Sequence, residues 1–81
     1  MNKGDILSEI QSIFRKELDD QRLEITCDSS PDSVEKWDSI NNLVLLSAIE
    51  DHFSLNFSTD AIFSMHNIGD IILYIEKNLV V

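Results

Sequence analysis

At 81 residues the chain has room for one domain with a modest core, so residues 1–81 are read as a single unit. Its one cysteine excludes an intrachain disulfide and any thiolate metal cluster built from this chain alone. The formal charge of -9 argues against nucleic acid, whose phosphates need clustered Lys and Arg to displace counterions, and points to basic protein surfaces as partners.

Two glycines and one proline are too few for a turn-rich sandwich, and the abundance of Leu, Ile, Glu, Asp and Lys predicts an all-α, four-helix bundle. The N-terminal "MNKGDILSEIQSIF" alternates charged and apolar residues, unlike a secretory signal, and no run of about 18 apolar residues exists to span a bilayer. A soluble, cytoplasmic monomer is expected, with no membrane partner.

Ile6, Leu7, Ile10, Ile13, Phe14 and Leu18 recur at helical spacing, with Asp5 near the start and Arg15 and Lys16 near the end as the helix dipole prefers, which predicts helix one over residues 4 to 18. From Asp19 to Trp37 the periodicity stops. That stretch reads as a long acidic loop pinned to the core by Leu23, Ile25, Val34 and Trp37, and loops of such length in small domains tend to be functional.

The second helix should start at Asp38 or Ser39, either of which can cap it, and run through Phe53. At about 100° per residue, Leu45, Leu46, Ile49 and Phe53 share one side, while Ile40, Leu43 and Val44 project from the other, beside Ser39. A helix apolar on two faces in so small a domain either fills the centre or offers one side to a partner, and with only about three other helices to surround it the partner is expected. "NFSTDAIFSM" predicts a short third helix started by Ser58 or Thr59, with Ile62, Phe63 and Met65 supplying contacts. In the last helix Asn67 can cap, Asp70 follows three residues later, and Ile68, Ile71, Ile72, Ile75 and Leu79 line one face.

Ser39 is the residue in question: a helix cap, or a point of covalent attachment. As a catalytic nucleophile it would need a base, and His52, 13 residues along the same helix, is about 20 Å away. His66, in the short connection before the last helix, is free to lie nearer, but a single unplaced histidine reads as an ordinary surface or interface residue. No "GxSxG" surrounds Ser39, the oxygen-rich stretch from Asp28 to Ser33 lacks the glycine and terminal glutamate of a calcium loop, and Cys27 reads as a buried or idle thiol. No metal site and no catalytic residue are expected. A serine without a base at a helix N-terminus is a suitable place for a phosphodiester, because free N–H groups and the helix dipole favour an anion there.

The stretch "WDSINNLVLLSAIEDHFSLNFS" resembles the acyl carrier protein pattern of Asp-Ser-Leu or Asp-Ser-Ile, an apolar helix ending in acids and Phe, and a short linker with a further apolar pair. The resemblance extends along the whole chain, with "NIGDIILYI" in the final helix. It implies that Ser39 carries a 4'-phosphopantetheine arm, installed by a separate phosphopantetheinyl transferase, whose thiol holds an acyl or aminoacyl group as a thioester for loading and processing enzymes of a fatty-acid, polyketide, nonribosomal or other specialised pathway. The protein would be a carrier, not an enzyme, presenting a tethered substrate at high effective concentration. Asp38 matches the acid before the modified serine, Ile40 the apolar residue after it, and Leu43, Val44, Ser47 and Asp51 fall on the partner-facing surface.

The chain departs from typical fatty-acid carriers where it holds Asn41, Asn42 and Val44 in place of early acids, delaying the first acid to Glu50. Docking to basic patches through this helix should be weaker, with apolar contact contributing more. Ser54 stands where a glycine is common, and Ser47 replaces a larger apolar residue. "WDS" resembles stand-alone carriers of specialised pathways. The competing readings are a noncatalytic interaction domain in which Ser39 merely caps the helix, and a small enzyme using Ser39, which lacks its base.

Overall fold

The computed structural model describes residues 2–78. Four helices follow one another, α1 (Lys3–Glu17), α2 (Ser39–Phe53), α3 (Thr59–Ser64) and α4 (Ile68–Asn78), with no strand among the described residues. The all-helical bundle is the one the sequence predicts. Leu79, assigned above to the face of the last helix, lies outside the described residues.

Helix α1 begins one residue earlier than predicted because Asn2 caps it, its Oδ1 accepting the Asp5 N–H at 2.8 Å. Ile6, Ile10 and Phe14 stand four residues apart and are fully buried, while Leu7 and Ile13 flank that line half-buried. The helix stops where Leu18 leaves helical geometry and Asp19 takes a positive φ of 51°. Packed against both α2 and α4, α1 forms the spine of the core.

Helix α4 turns Ile68, Ile71, Ile72 and Ile75 inward. Asn67 Oδ1 accepts the Asp70 N–H at 2.9 Å, and Asp70 Oδ2 accepts the His66 N–H at 2.9 Å, so the two side chains close the turn into the helix from both ends. In α3 the Ser58 hydroxyl caps by accepting the Ala61 N–H at 3.1 Å. Here one predicted contact fails: Phe63 is 76% exposed, and Ala61 is the residue that faces inward, with Ile62 and Met65 half-buried. A helix of six residues has fewer than two turns, so only one of its positions can reach the core squarely.

The segment between α1 and α2 has no regular structure but is fixed along its length. Ile25, Val34 and Trp37 are buried, Leu23 is half-buried, and polar side chains hold the backbone between them. From α1, Gln11 Oε1 accepts the Ile25 N–H at 2.9 Å and Arg15 Nε donates to the Leu23 carbonyl at 2.6 Å. The stretch from Thr26 to Ser33 is a pair of serine turns, with Ser29 Oγ accepting the Thr26 N–H and Ser33 Oγ accepting the Ser30 N–H, each at 2.9 Å.

The same loop docks on the start of α4. Cys27 and Ser29 carbonyls accept the N–H groups of Gly69 at 2.8 Å and Ile68 at 2.9 Å, satisfying donors that a helix N-terminus otherwise leaves orphaned. Cys27 is used through its backbone, and its thiol is exposed, correcting the expectation that it could be buried. This docking explains Gly69: a Cβ there would lie 3.1 Å from the Cys27 oxygen and 3.2 Å from Asn67 Oδ1. Gly69→Ala should therefore forfeit the roughly 1 kcal/mol that alanine gains at an open helical site and lower stability by up to about 1 kcal/mol, read from the urea midpoint.

Candidate functional site

The site is assembled at the N-terminus of α2. Asp38 is the cap, in extended geometry, with its Oδ1 accepting the N–H of Ile40 at 3.1 Å and of Asn41 at 2.8 Å. Ser39 is thus the first helical residue, exposed, and its hydroxyl makes no hydrogen bond among the described residues. Of the two residues able to cap, the one with the carboxylate does so, and the serine oxygen is left open to solvent.

What precedes the serine is rigid. Trp37 is buried edge-on against Phe14, ring centroids 5.0 Å apart at 84°, which ties the residue before the cap to the spine of the core. Its indole Nε1 donates to Asn42 Oδ1 at 2.9 Å, and Asn41 Nδ2 donates to the Lys36 carbonyl at 2.8 Å. Asn41 and Asn42 therefore act as struts between the first turn of the helix and the end of the loop.

Beside Ser39 opens a hollow of about 390 Å³, whose walls include Asp32, Trp37, Asn42, Met65 and His66. His66, which the sequence left unplaced, shares that hollow with Ser39. His52 does not: α2 is continuous from Ser39 to Phe53, and the His52 Nε2 lies 2.9 Å from Glu9 Oε1 across the α1–α2 seam. No sequence signal links positions 39 and 66, because the turn into α4 and the cap of α2 meet only through the tertiary fold.

The outward face of α2 carries Ile40, Leu43 and Val44 at 76%, 63% and 45% exposure, opposite the buried Leu45, Leu46, Ile49 and Phe53. Leu43 and Val44 share a shallow hollow of about 440 Å³ with Ser47, Ala48, Asp51 and Glu17 of α1. Glu50, the first acid in the helix, is occupied elsewhere, its Oε2 accepting the Phe57 N–H at 2.7 Å. That leaves Asp51 as the exposed acid at this end of the face. The helix closes at Ser54, left-handed at φ 55° and ψ 48°, a conformation that costs a non-glycine residue about 1–2 kcal/mol.

Among the described residues no group of three or more His, Cys, Asp or Glu side chains is placed to hold a metal ion, and no helix is long and apolar enough to cross a membrane. What the site offers is an accessible hydroxyl at a helix N-terminus, a hollow beside it, and an apolar face running away from it to Asp51.

Over 79 residues the chain is 30% identical to the acyl carrier protein of Exiguobacterium sibiricum, an alignment covering 98% of this chain and 100% of that one. Its fold is similar to the solution NMR structure of holo acyl carrier protein from Geobacter metallireducens, with a TM-score of 0.85, 27% identity, and coverage of 91% of this chain and 85% of that one. No protein-family model matches the chain.

Proposed function

The chain belongs to the acyl carrier protein family, and from that premise we propose that Ser39 accepts a 4'-phosphopantetheine arm as a phosphodiester, making the protein a cytoplasmic, monomeric, noncatalytic carrier domain. The observation that carries this reading is the Ser39 hydroxyl, exposed and unbonded while Asp38 caps the helix in its place. When bound, the arm supplies a thiol that holds an acyl or aminoacyl group as a thioester.

The residues at the site fit such a group. Ser39 provides the oxygen for the phosphoester bond, which a phosphopantetheinyl transferase forms, and the hollow beside it has room for the first atoms of an arm. Asp38 fixes the first turn, and the Trp37–Asn42 bond fixes the loop, so the hydroxyl is presented from a rigid element. His66 shares the hollow, but no hydrogen bond joins it to the Ser39 hydroxyl among the described residues, which suits a residue modified by another enzyme.

Partner enzymes of a fatty-acid, polyketide or other specialised pathway would read the face of Ile40, Leu43, Val44, Ser47 and Asp51. With Glu50 committed to the Phe57 N–H and no earlier acid in α2, apolar contact contributes more here than charge. Val44→Glu should lower kcat/KM for transferase loading about tenfold or more by placing a charge in a desolvated contact. The thermal midpoint should hardly move, since Val44 is exposed and outside the core.

The reading is tested by coexpression with a broad-specificity transferase and intact-mass measurement. The expected result is a mass gain of one phosphopantetheine, located by peptide mapping within residues 36 to 46. An unmodified chain would leave a noncatalytic interaction domain as the better description.

A further inference from the structure

A phosphodiester on Ser39 would enter crowded electrostatic ground. The chain carries -9, and the hollow beside Ser39 already holds the carboxylates of Asp32 and Asp38. The helix N-terminus offers less help than usual, because Asp38 has taken the N–H groups of Ile40 and Asn41. Lys36, the basic residue nearest in sequence, has its Nζ 3.3 Å from the Leu18 carbonyl, committed to the end of α1. Of the residues lining the hollow, His66 is the one able to bear positive charge.

His66 is also held in place. Its N–H donates to Asp70 Oδ2, the Asp70 N–H returns to Asn67 Oδ1, and the connection from α3 to α4 is thereby closed. The imidazole itself enters no hydrogen bond or ion pair among the described residues, in contrast to His52, which is paired with Glu9.

Resting on the carrier reading, we propose that His66 is the residue that binds the phosphate of the arm on Ser39, its protonated ring donating a charge-assisted hydrogen bond to a phosphate oxygen. The bond offsets repulsion from Asp32 and Asp38, with Asp70 of α4 behind the histidine as the remaining charged group at that turn. It draws the root of the arm toward α3 and away from the Leu43 and Val44 face. The carrier then has two states of its arm, seated against His66 and Met65 or free for a partner.

The test uses holo protein whose modification has been verified by intact mass. In isotope-labelled protein with an unlabelled arm, filtered NOEs should connect the His66 ring protons to arm protons next to the phosphate. A phosphodiester does not titrate between about pH 8 and pH 5, so a phosphorus resonance that moves over that range reports a neighbour. It should move in wild type and in Asp32→Asn, and stay still in His66→Gln. His66 is exposed, so its replacement leaves the fold intact. Superimposable wild-type and His66→Gln profiles, or absent NOEs, would overturn the assignment and leave the carrier reading standing. Failure of the mass gain itself would overturn both.

Discussion

Ser39→Ala should abolish incorporation of phosphopantetheine, with no mass gain after prolonged incubation with transferase, while unfolding free energy stays within about 0.5 kcal/mol of wild type. Both halves follow from one geometry. The Ser39 hydroxyl is exposed and pairs with nothing among the described residues, so its removal strands no partner and opens no cavity. The cap is Asp38, and Asp38→Ala is the matching control: it orphans the N–H groups of Ile40 and Asn41 and should cost about 1 kcal/mol. If Ser39 served only as a helix cap, the two costs would be exchanged. A Ser39→Ala protein that loses about 1 kcal/mol while wild type takes up no arm would reject the attachment site; one that still gains the mass would place the arm elsewhere.

How far these features can be read from sequence depends on how local their causes are. The buried line Ile6, Ile10, Phe14 and the set Ile68, Ile71, Ile72, Ile75 are helical periodicities, complete within one segment each. The two faces of α2 follow from the same arithmetic, since Leu43 and Val44 cannot share a side with Leu45, Ile49 and Phe53. Capping is local too, although sequence alone offers both Asp38 and Ser39, and only the hydrogen bonds assign the role to Asp38.

Contacts between distant segments leave no such trace. Nothing at Gln11 or Arg15 announces that they hold the backbone of Ile25 and Leu23, and nothing at His66 announces Ser39. Cys27 illustrates a subtler loss: a lone cysteine is as compatible with burial as with exposure, yet it is the carbonyl that meets α4, and the thiol turns outward. Phe63 fails for want of length, because six residues of α3 are too few for a periodicity to tell inside from outside. Ser54 is the reverse case. The resemblance implies a glycine at this position, and the left-handed backbone found there is the conformation that glycine adopts most readily.

Trp37→Ala should be the most damaging single substitution at the site's foundation, lowering stability by about 3–5 kcal/mol. The indole is only 4% exposed, stacks edge-on against Phe14, and bonds Asn42 through Nε1, so truncation removes a large buried ring, an aromatic contact and a hydrogen bond together. For a domain of this size, with total stability of roughly 4–12 kcal/mol, that is about a quarter or more of what holds it folded. The thermal midpoint, followed by circular dichroism because Trp37 is the sole tryptophan, should fall by about 15–30 °C. Trp37→Phe separates the parts: it keeps a ring against Phe14 while losing the bond to Asn42, and should cost about 1–2 kcal/mol. Because Trp37 adjoins the Asp38 cap, transferase loading of the phenylalanine variant should slow more than its global stability explains, as the first turn of α2 loses its strut. A Trp37→Ala protein within about 1 kcal/mol of wild type would mean that the loop is not anchored through this ring, and that Ser39 is presented from a segment able to move independently of the core.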